Sequence, residues 1–158
     1  MLVRSVGVTA MVAALTLLSI TPGVAAEQNP PPRLAVCTLL PKEEVKRHLP
    51  WEAMFDLMPL EEEPIGQAGS SCSFPTVHVQ VLPYTPGFFA TFRTAGAQEA
   101  VAGVGDEAWF RNNRDRYAEL VVKVGPRILT LQADADGGIA AARRPLIELA
   151  KAYVARLR

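Results

Sequence analysis

The chain has 158 residues, 49% of them hydrophobic, and its 16 basic and 16 acidic side chains give a formal net charge of zero at pH 7. A chain of this length forms one domain with its own core and is too short for two ordinary ones. Because a near-neutral chain has no strong field to attract a polyanion, we expect no nucleic-acid partner.

The first 26 residues have the three parts of a secretory signal peptide. Arg4 is the only charged side chain before Glu27, and Val6–Ile20 is an apolar run. A proline and a glycine then break the helix, and the small side chains up to Ala26 suit a signal peptidase. An uncleaved anchor is the alternative, but the run of about 15 residues is shorter than the roughly 20 that span a bilayer. We therefore predict a secreted or periplasmic protein without stable membrane insertion after cleavage.

Residues 27–33 read as a proline-rich spacer, and the single domain is predicted to span residues 34–158. That domain holds both cysteines of the chain, Cys37 and Cys72. In an exported protein an even number of cysteines indicates a disulfide, and two cysteines allow one intramolecular pairing. The loop of about 36 residues that this bond closes is worth about 4 kcal/mol in the chain-entropy model. A reactive thiol assisted by a histidine is the alternative.

Hydrophobic periodicity and turn residues predict the elements of the domain. Alternation with a period of two indicates strands, and a stripe at 3.6-residue spacing indicates helices. In chain order the predicted elements are a short helix from Pro41 to Leu49, a strand over 77–81, a helix from Pro86 to about Gln98, a strand at Ala108–Phe110, a hairpin of strands 117–124 and 127–133, and a helix from Ile139 to about Leu157. Residues 51–69 contain either a short strand around 57–62 or an irregular cover.

These elements predict an α+β fold in which a small antiparallel sheet of about four strands has helices packed on one face. A split parallel arrangement of the first strand is the alternative. The C-terminal helix is expected to bury Leu146, Leu149 and Tyr153 against the sheet and to leave Lys151 in solvent.

Two glycine-rich strings resemble ligand loops but lack the required context. The string Gly103-Val-Gly-Asp106 precedes a predicted strand, whereas a phosphate-cradling turn precedes a helix. The string Asp134-Ala-Asp-Gly-Gly138 has no closing acid at the spacing of a calcium loop. His48 and His78 are too few for a zinc site, and no Gly-x-Ser-x-Gly motif is present. We therefore predict no catalytic, cofactor-binding or metal-binding residues.

Charged side chains form two local groups. The acidic group consists of Glu52, Asp56, Glu61, Glu62 and Glu63. The basic group crowds a predicted hairpin tip and consists of Arg111, Arg114 and Arg116. These arginines either contact an anionic envelope ligand or pair with the acidic segment.

Several strings together resemble uncharacterised secreted proteins of the bacterial envelope, many of them actinobacterial lipoproteins. They are Cys37-Thr-Leu-Leu before a short helix, a second cysteine that opens a strand, and Val101-Ala-Gly-Val-Gly-Asp-Glu-Ala108 before a hairpin. The resemblance implies a compact α+β envelope domain and carries no catalytic residues. The chain departs from lipoproteins because no cysteine stands at the predicted cleavage point.

The function predicted from the sequence is a non-catalytic exported domain that binds a protein or a cell-envelope ligand, since no catalytic group of residues is assembled and exposed loops usually carry binding residues. The alternative is a small secreted enzyme that uses acid–base groups from the acidic segment and His78.

Overall fold

A computed structural model describes residues 31–49, 59–94, 98–113, 117–134 and 139–158. Its elements are α1 (Val36–Leu39), α2 (Lys42–His48), β1 (Glu61–Ile65), β2 (Gly69–Ser73), β3 (Val77–Pro83), α3 (Phe88–Thr94), β4 (Gln98–Ala100), β5 (Glu107–Asn113), β6 (Tyr117–Val124), β7 (Arg127–Asp134) and α4 (Ile139–Leu157). The predicted signal peptide lies outside the described residues, so its cleavage stays a prediction.

Within the described residues, seven strands form one antiparallel sheet in the order β1-β2-β3-β7-β6-β5-β4. The predicted sheet of about four strands is therefore wrong, and β3 pairs antiparallel with β7 rather than in a split parallel arrangement. Three strands lie beyond the four that apolar alternation indicates, although β1 overlaps the alternative strand around 57–62 and β2 contains the cysteine that the resemblance places at a strand. Strand β1 reads Glu-Glu-Glu-Pro-Ile, β2 reads Gly-Ser-Ser-Cys-Ser, and β4 has only three residues.

The helices pack on both faces of the sheet, which corrects the prediction of a single covered face. One face, called here the core face, packs against α1, α2 and α4 in the main hydrophobic cluster. The opposite face, called here the α3 face, carries a second cluster in which Phe89 and Phe92 of α3 contact Val121 and Ile128. On the α3 face, β6 and β7 contribute one buried apolar residue each, Val121 and Ile128, and α3 covers this pair.

Helix α4 supports the core face as the sequence predicts. It contacts β6 and β7, and Leu146, Leu149 and Tyr153 are fully buried. Lys151 is exposed and pairs with Glu148 at 2.9 Å. No helix in the described part of the chain has the length and apolar character needed to cross a membrane.

The predicted disulfide between Cys37 and Cys72 is confirmed, with an S–S distance of 2.05 Å. It joins α1 to β2 and so anchors the first helices to the end of the sheet that β1, β2 and β3 form. Strand β2 carries two buried serines there, and Ser70 Oγ donates to the Leu34 carbonyl at 2.5 Å. Tertiary hydrogen bonds of this kind hold a polar strand that hydrophobic pattern alone does not indicate.

The glycine-rich string Gly103-Val-Gly-Asp106 forms a turn before β5, as predicted. Gly105 has φ +61°, and a Cβ atom there would lie 2.4 Å from Val122 Cγ1. The Asp106 carboxylate accepts a hydrogen bond from the Gly125 N–H at 2.6 Å. The turn therefore locks the start of β5 to the tip of the β6–β7 hairpin.

Candidate functional site

A row of polar side chains crosses the α3 face of the sheet. Its members stand directly opposite one another on neighbouring strands from β2 to β4, and they are Ser73, His78, Gln132, Glu119, Arg111 and Gln98. Side chains that face one another across strands lie close enough to interact. The row is called here the polar row.

The central part of the polar row is an internal network. Arg111 Nε donates to Glu119 Oε2 at 2.6 Å, and Gln132 Nε2 donates to Glu119 Oε1 at 3.0 Å. Glu119 is only 4% exposed, and the guanidinium of Arg111 lies 4.4 Å from the ring centroid of Phe92. Arg111 therefore neutralises a buried carboxylate under α3. The other two arginines of the basic group, Arg114 and Arg116, lie outside the described residues, so ligand contact by this group stays a prediction.

His78 is held by two neutral partners. Its Nδ1 lies 3.0 Å from Ser73 Oγ, and its Nε2 lies 2.9 Å from Gln80 Nε2. The second partner of His78 is an amide rather than a carboxylate. The pair therefore lacks the geometry of an activated serine nucleophile.

The acidic group splits between structural and exposed positions. Glu62 Oε1 accepts hydrogen bonds from the Val36 N–H at 2.8 Å and from Ser70 Oγ at 3.3 Å. Glu61 and Glu63 are exposed on β1, and by strand alternation both belong to the α3 face. The remaining two acids, at positions 52 and 56, lie outside the described residues.

No group of three or more His, Cys, Asp or Glu residues in the described ranges is placed to hold a metal ion. The two histidines belong to different elements, since His48 ends α2 and His78 lies in β3. Among the described residues, the hydrogen-bond partners of the His78 ring are Ser73 and Gln80, and neither is an acid.

A small pocket opens beside the polar row, towards the β2–β3 turn, with a volume of about 150 Å³. His78 and Gln132 belong to its lining, together with Thr76 in the β2–β3 turn. Tyr117 and Asp134, which are opposite each other on β6 and β7, complete its polar and aromatic lining. It is called here the polar pocket.

An apolar groove of about 490 Å³ lies at the other end of the α3 face, between the β1–β2 turn and α3. Its walls are mainly carbon, and the apolar lining side chains are Ile65, Ala68, Leu82, Pro83 and Phe88. Each of them is partly exposed to solvent. It is called here the apolar groove.

The sequence predicted neither the polar pocket nor the apolar groove. The apolar groove depends on β1 and β2 pairing beside β3, and those two strands carry no apolar alternation. The only sequence signal near it is the turn formed by Gly66 and its neighbours. The polar pocket depends on register, which brings His78 beside Gln132 although 53 intervening positions separate them in the chain.

Comparisons with protein-family models, with curated proteins and with solved structures returned no match. The resemblance to secreted envelope proteins therefore rests on the motif residues alone.

Proposed function

We propose that the chain is an exported, non-catalytic domain that binds a protein ligand through the apolar groove. The size and lining of the groove carry the proposal, because ligand sites are typically concave, about 300–1,000 Å³ in volume and lined mainly by apolar side chains. Leu82 and Phe88 supply the apolar floor next to Ile65. The disulfide between Cys37 and Cys72 suits an oxidising, extracytoplasmic compartment.

Charge beside the apolar groove favours a basic protein segment as the occupant. Glu63 lies on the same face as Ile65 and two residues before it, so the carboxylate stands about 7 Å along the strand from the groove wall. Glu61 adds a second exposed carboxylate on the same strand face. The one described cation at this turn, Arg33, donates to the Gly66 carbonyl. An extended segment with an apolar side chain and a lysine or arginine two positions away matches this arrangement.

The alternative of a small secreted enzyme has less support. His78 is bonded to Ser73 and Gln80, and Glu62 is bonded to the chain near α1. An acid–base pair needs both groups within hydrogen-bond reach of the reacting proton. The described acids of the acidic group, Glu61, Glu62 and Glu63, belong to β1 at the edge of the sheet, which gives the alternative little support.

Fluorescence anisotropy with defined peptides tests the groove. The probe is a labelled extended peptide that has one leucine with a lysine two positions to either side. One comparison peptide replaces the leucine by serine, and the other replaces both lysines by glutamate. We expect the mature domain to bind the probe and to lose affinity for both comparison peptides, because each lacks one half of the complementarity.

Two variants with matched controls locate the binding. Ala68→Arg fills the groove and should lower the affinity for the probe peptide at least about tenfold. Ala155→Arg introduces the same side chain on the exposed side of α4 and should leave that affinity unchanged. Glu63→Gln should weaken it about two- to fivefold, the range of an exposed ion pair, and Glu148→Gln should not. Equal binding by all four variants would overturn the groove site. The domain could instead bind dodecanoate and not the peptide, with binding blocked by Ala68→Arg and unaffected by Glu63→Gln. That result would show that the ligand of the groove is an envelope acyl chain and not a protein.

A further inference from the structure

The β1–β2 hairpin has little apolar anchorage of its own. Both strands lie wholly within the described residues, and Cys72 is the one apolar side chain in them that is buried. Strands β6 and β7 differ, because they bury Leu120, Leu129 and Leu131 on the core face. A segment that buries few apolar side chains opens at a lower free-energy cost than the rest of a structure. The hairpin therefore depends on contacts from elsewhere in the chain.

A short N-terminal segment supplies such contacts. Residues 33–37, called here the N-terminal strap, lie along the hairpin and end at Cys37, whose disulfide with Cys72 joins the strap to β2. Three hydrogen bonds add to this link, and they pair Arg33 with the Gly66 carbonyl, the Leu34 carbonyl with Ser70 Oγ, and the Val36 N–H with Glu62 Oε1. The strap and the hairpin are therefore one structural unit, which the disulfide closes covalently.

The two walls of the apolar groove belong to different units. Residues 65–68 of the β1–β2 turn supply half of its lining, and the strap holds this turn through Arg33. The facing wall contains Leu82 and Phe88, which belong to β3 and α3. Movement of the hairpin therefore removes one wall of the groove and leaves the other in place.

The two cysteines of the disulfide differ in exposure, since Cys37 is partly exposed and Cys72 is fully buried. In reduction by a dithiol, one thiolate of the reductant attacks Cys37 Sγ, the S–S bond breaks and Cys72 leaves as a thiolate. The second thiol of the reductant then displaces Cys37, so the reductant becomes a disulfide and its two protons pass to the two cysteines. An oxidant that carries a disulfide reverses these steps.

We propose that the disulfide is a redox switch for the apolar groove. Oxidation fixes the β1–β2 hairpin beside β3, and reduction opens the hairpin while the rest of the sheet stays folded. This inference rests on the proposed function, because the groove is the site that the switch controls. Cytosolic thiols are kept reduced, whereas thiols in an exported protein are oxidised. The groove is therefore complete only after export, and the chain does not bind its ligand before that point.

Hydrogen exchange followed by mass spectrometry tests the switch without any ligand. Cys37 and Cys72 are the only cysteines of the chain, so dithiothreitol acts on this bond alone. Reduction of the mature domain should accelerate exchange in residues 61–73 at least about tenfold more than in β6, β7 and α4. The double variant Cys37→Ala/Cys72→Ala should match the reduced form and should not respond to dithiothreitol. Unchanged exchange in the hairpin, or an equal increase in β6, β7 and α4, would overturn the proposal.

A substitution in the oxidised domain tests the strap separately. Ser70→Ala removes the hydrogen bond to the Leu34 carbonyl and should accelerate exchange in residues 61–73 about two- to tenfold. The matched control Thr91→Ala removes an exposed hydroxyl that donates to the Gly87 carbonyl at the start of α3, and it should leave the hairpin unchanged. Equal exchange in both variants would show that the strap does not hold the hairpin.

Peptide binding tests the link between the switch and the groove. The leucine–lysine probe should bind the oxidised domain at least about tenfold more tightly than the reduced domain, because the open hairpin lowers the fraction of competent molecules. Equal affinity of the two forms would overturn control of the groove by the disulfide. No binding by either form would overturn the proposed function, and hydrogen exchange would then decide by itself whether reduction opens the hairpin.

Discussion

Removing one oxygen atom from the core should stabilise the protein. Tyr153 on α4 is fully buried, and its hydroxyl has no hydrogen-bond partner among the described residues. A buried polar group without a partner costs about 1–3 kcal/mol, and phenylalanine fills almost the same volume. Tyr153→Phe should therefore raise the free energy of unfolding by about 1 kcal/mol at pH 7. Urea unfolding followed by circular dichroism gives this difference directly.

The same substitution has a signed pH dependence. Burial raises the pKa of Tyr153 above its ordinary value of 10.0. Above pH 10 the unfolded state loses the phenolic proton while the folded state keeps it, so this group lowers stability by up to about 1.4 kcal/mol per pH unit. Tyr153→Phe removes that loss, and its advantage over the wild type should widen between pH 9 and pH 11. The control Tyr84→Phe, at a partly exposed ring, should stay within about 0.5 kcal/mol of wild type at pH 7.

A destabilisation of more than about 1 kcal/mol in Tyr153→Phe would show that the hydroxyl makes a hydrogen bond in the folded protein. Parallel stability curves for variant and wild type up to pH 11 would contradict the effect of burial on its pKa.

Three further predictions concern the core, the disulfide and the N-terminus. Leu149→Ala should destabilise the protein by about 2–5 kcal/mol because it leaves a cavity beneath α4, whereas Lys151→Ala should change stability by less than about 0.5; equal urea midpoints would contradict the packing. Cys37→Ala should cost about 2–4 kcal/mol, the usual range for a disulfide in a small exported domain, and an unchanged midpoint would show that the bond does not stabilise the fold. Intact-mass measurement of exported protein should show Glu27 as the first residue, and a mass that retains residues 1–26 would exclude cleavage.

Elements with a strong apolar period could be predicted from the sequence. The hairpin of β6 and β7 is found at Tyr117–Val124 and Arg127–Asp134, close to its predicted bounds. Helix α4 is found at Ile139–Leu157 as predicted. In these segments local periodicity and tertiary burial agree, so the pattern is informative.

Strands β1 and β2 could not be predicted because their stability comes from tertiary contacts. Ser70 and Ser71 are each 2% exposed, although serine is usually at the surface. The Ser70 hydroxyl donates to the distant Leu34 carbonyl, the Ser71 hydroxyl donates to the Glu63 carbonyl on the paired strand, and Glu62 reaches the start of α1. Without β1 and β2 the apolar groove has no second wall, so this candidate site could not be predicted from the sequence either.

The sequence also failed to predict that helices cover both faces of the sheet, and the cause is similar. In β6 the residues Leu120, Val121 and Val122 are all buried, so strict alternation does not reveal which side is covered. The sequence predicted a helix with an aromatic side at the position of α3, but it did not indicate which face of the sheet that side covers. The number of strands and the position of α3 therefore depend on register, which one sequence does not determine.

The position at which a basic, apolar peptide binds tests the proposed function most directly. In a titration of the isotope-labelled mature domain with the leucine–lysine peptide, backbone amide signals report contact residue by residue. We predict shifts at Ile65, Ala68, Leu82 and Phe88, which surround the apolar groove, and no shift at Lys151 on α4. Shifts confined to α4, or no shifts at peptide concentrations that saturate the anisotropy signal, would contradict binding in the groove.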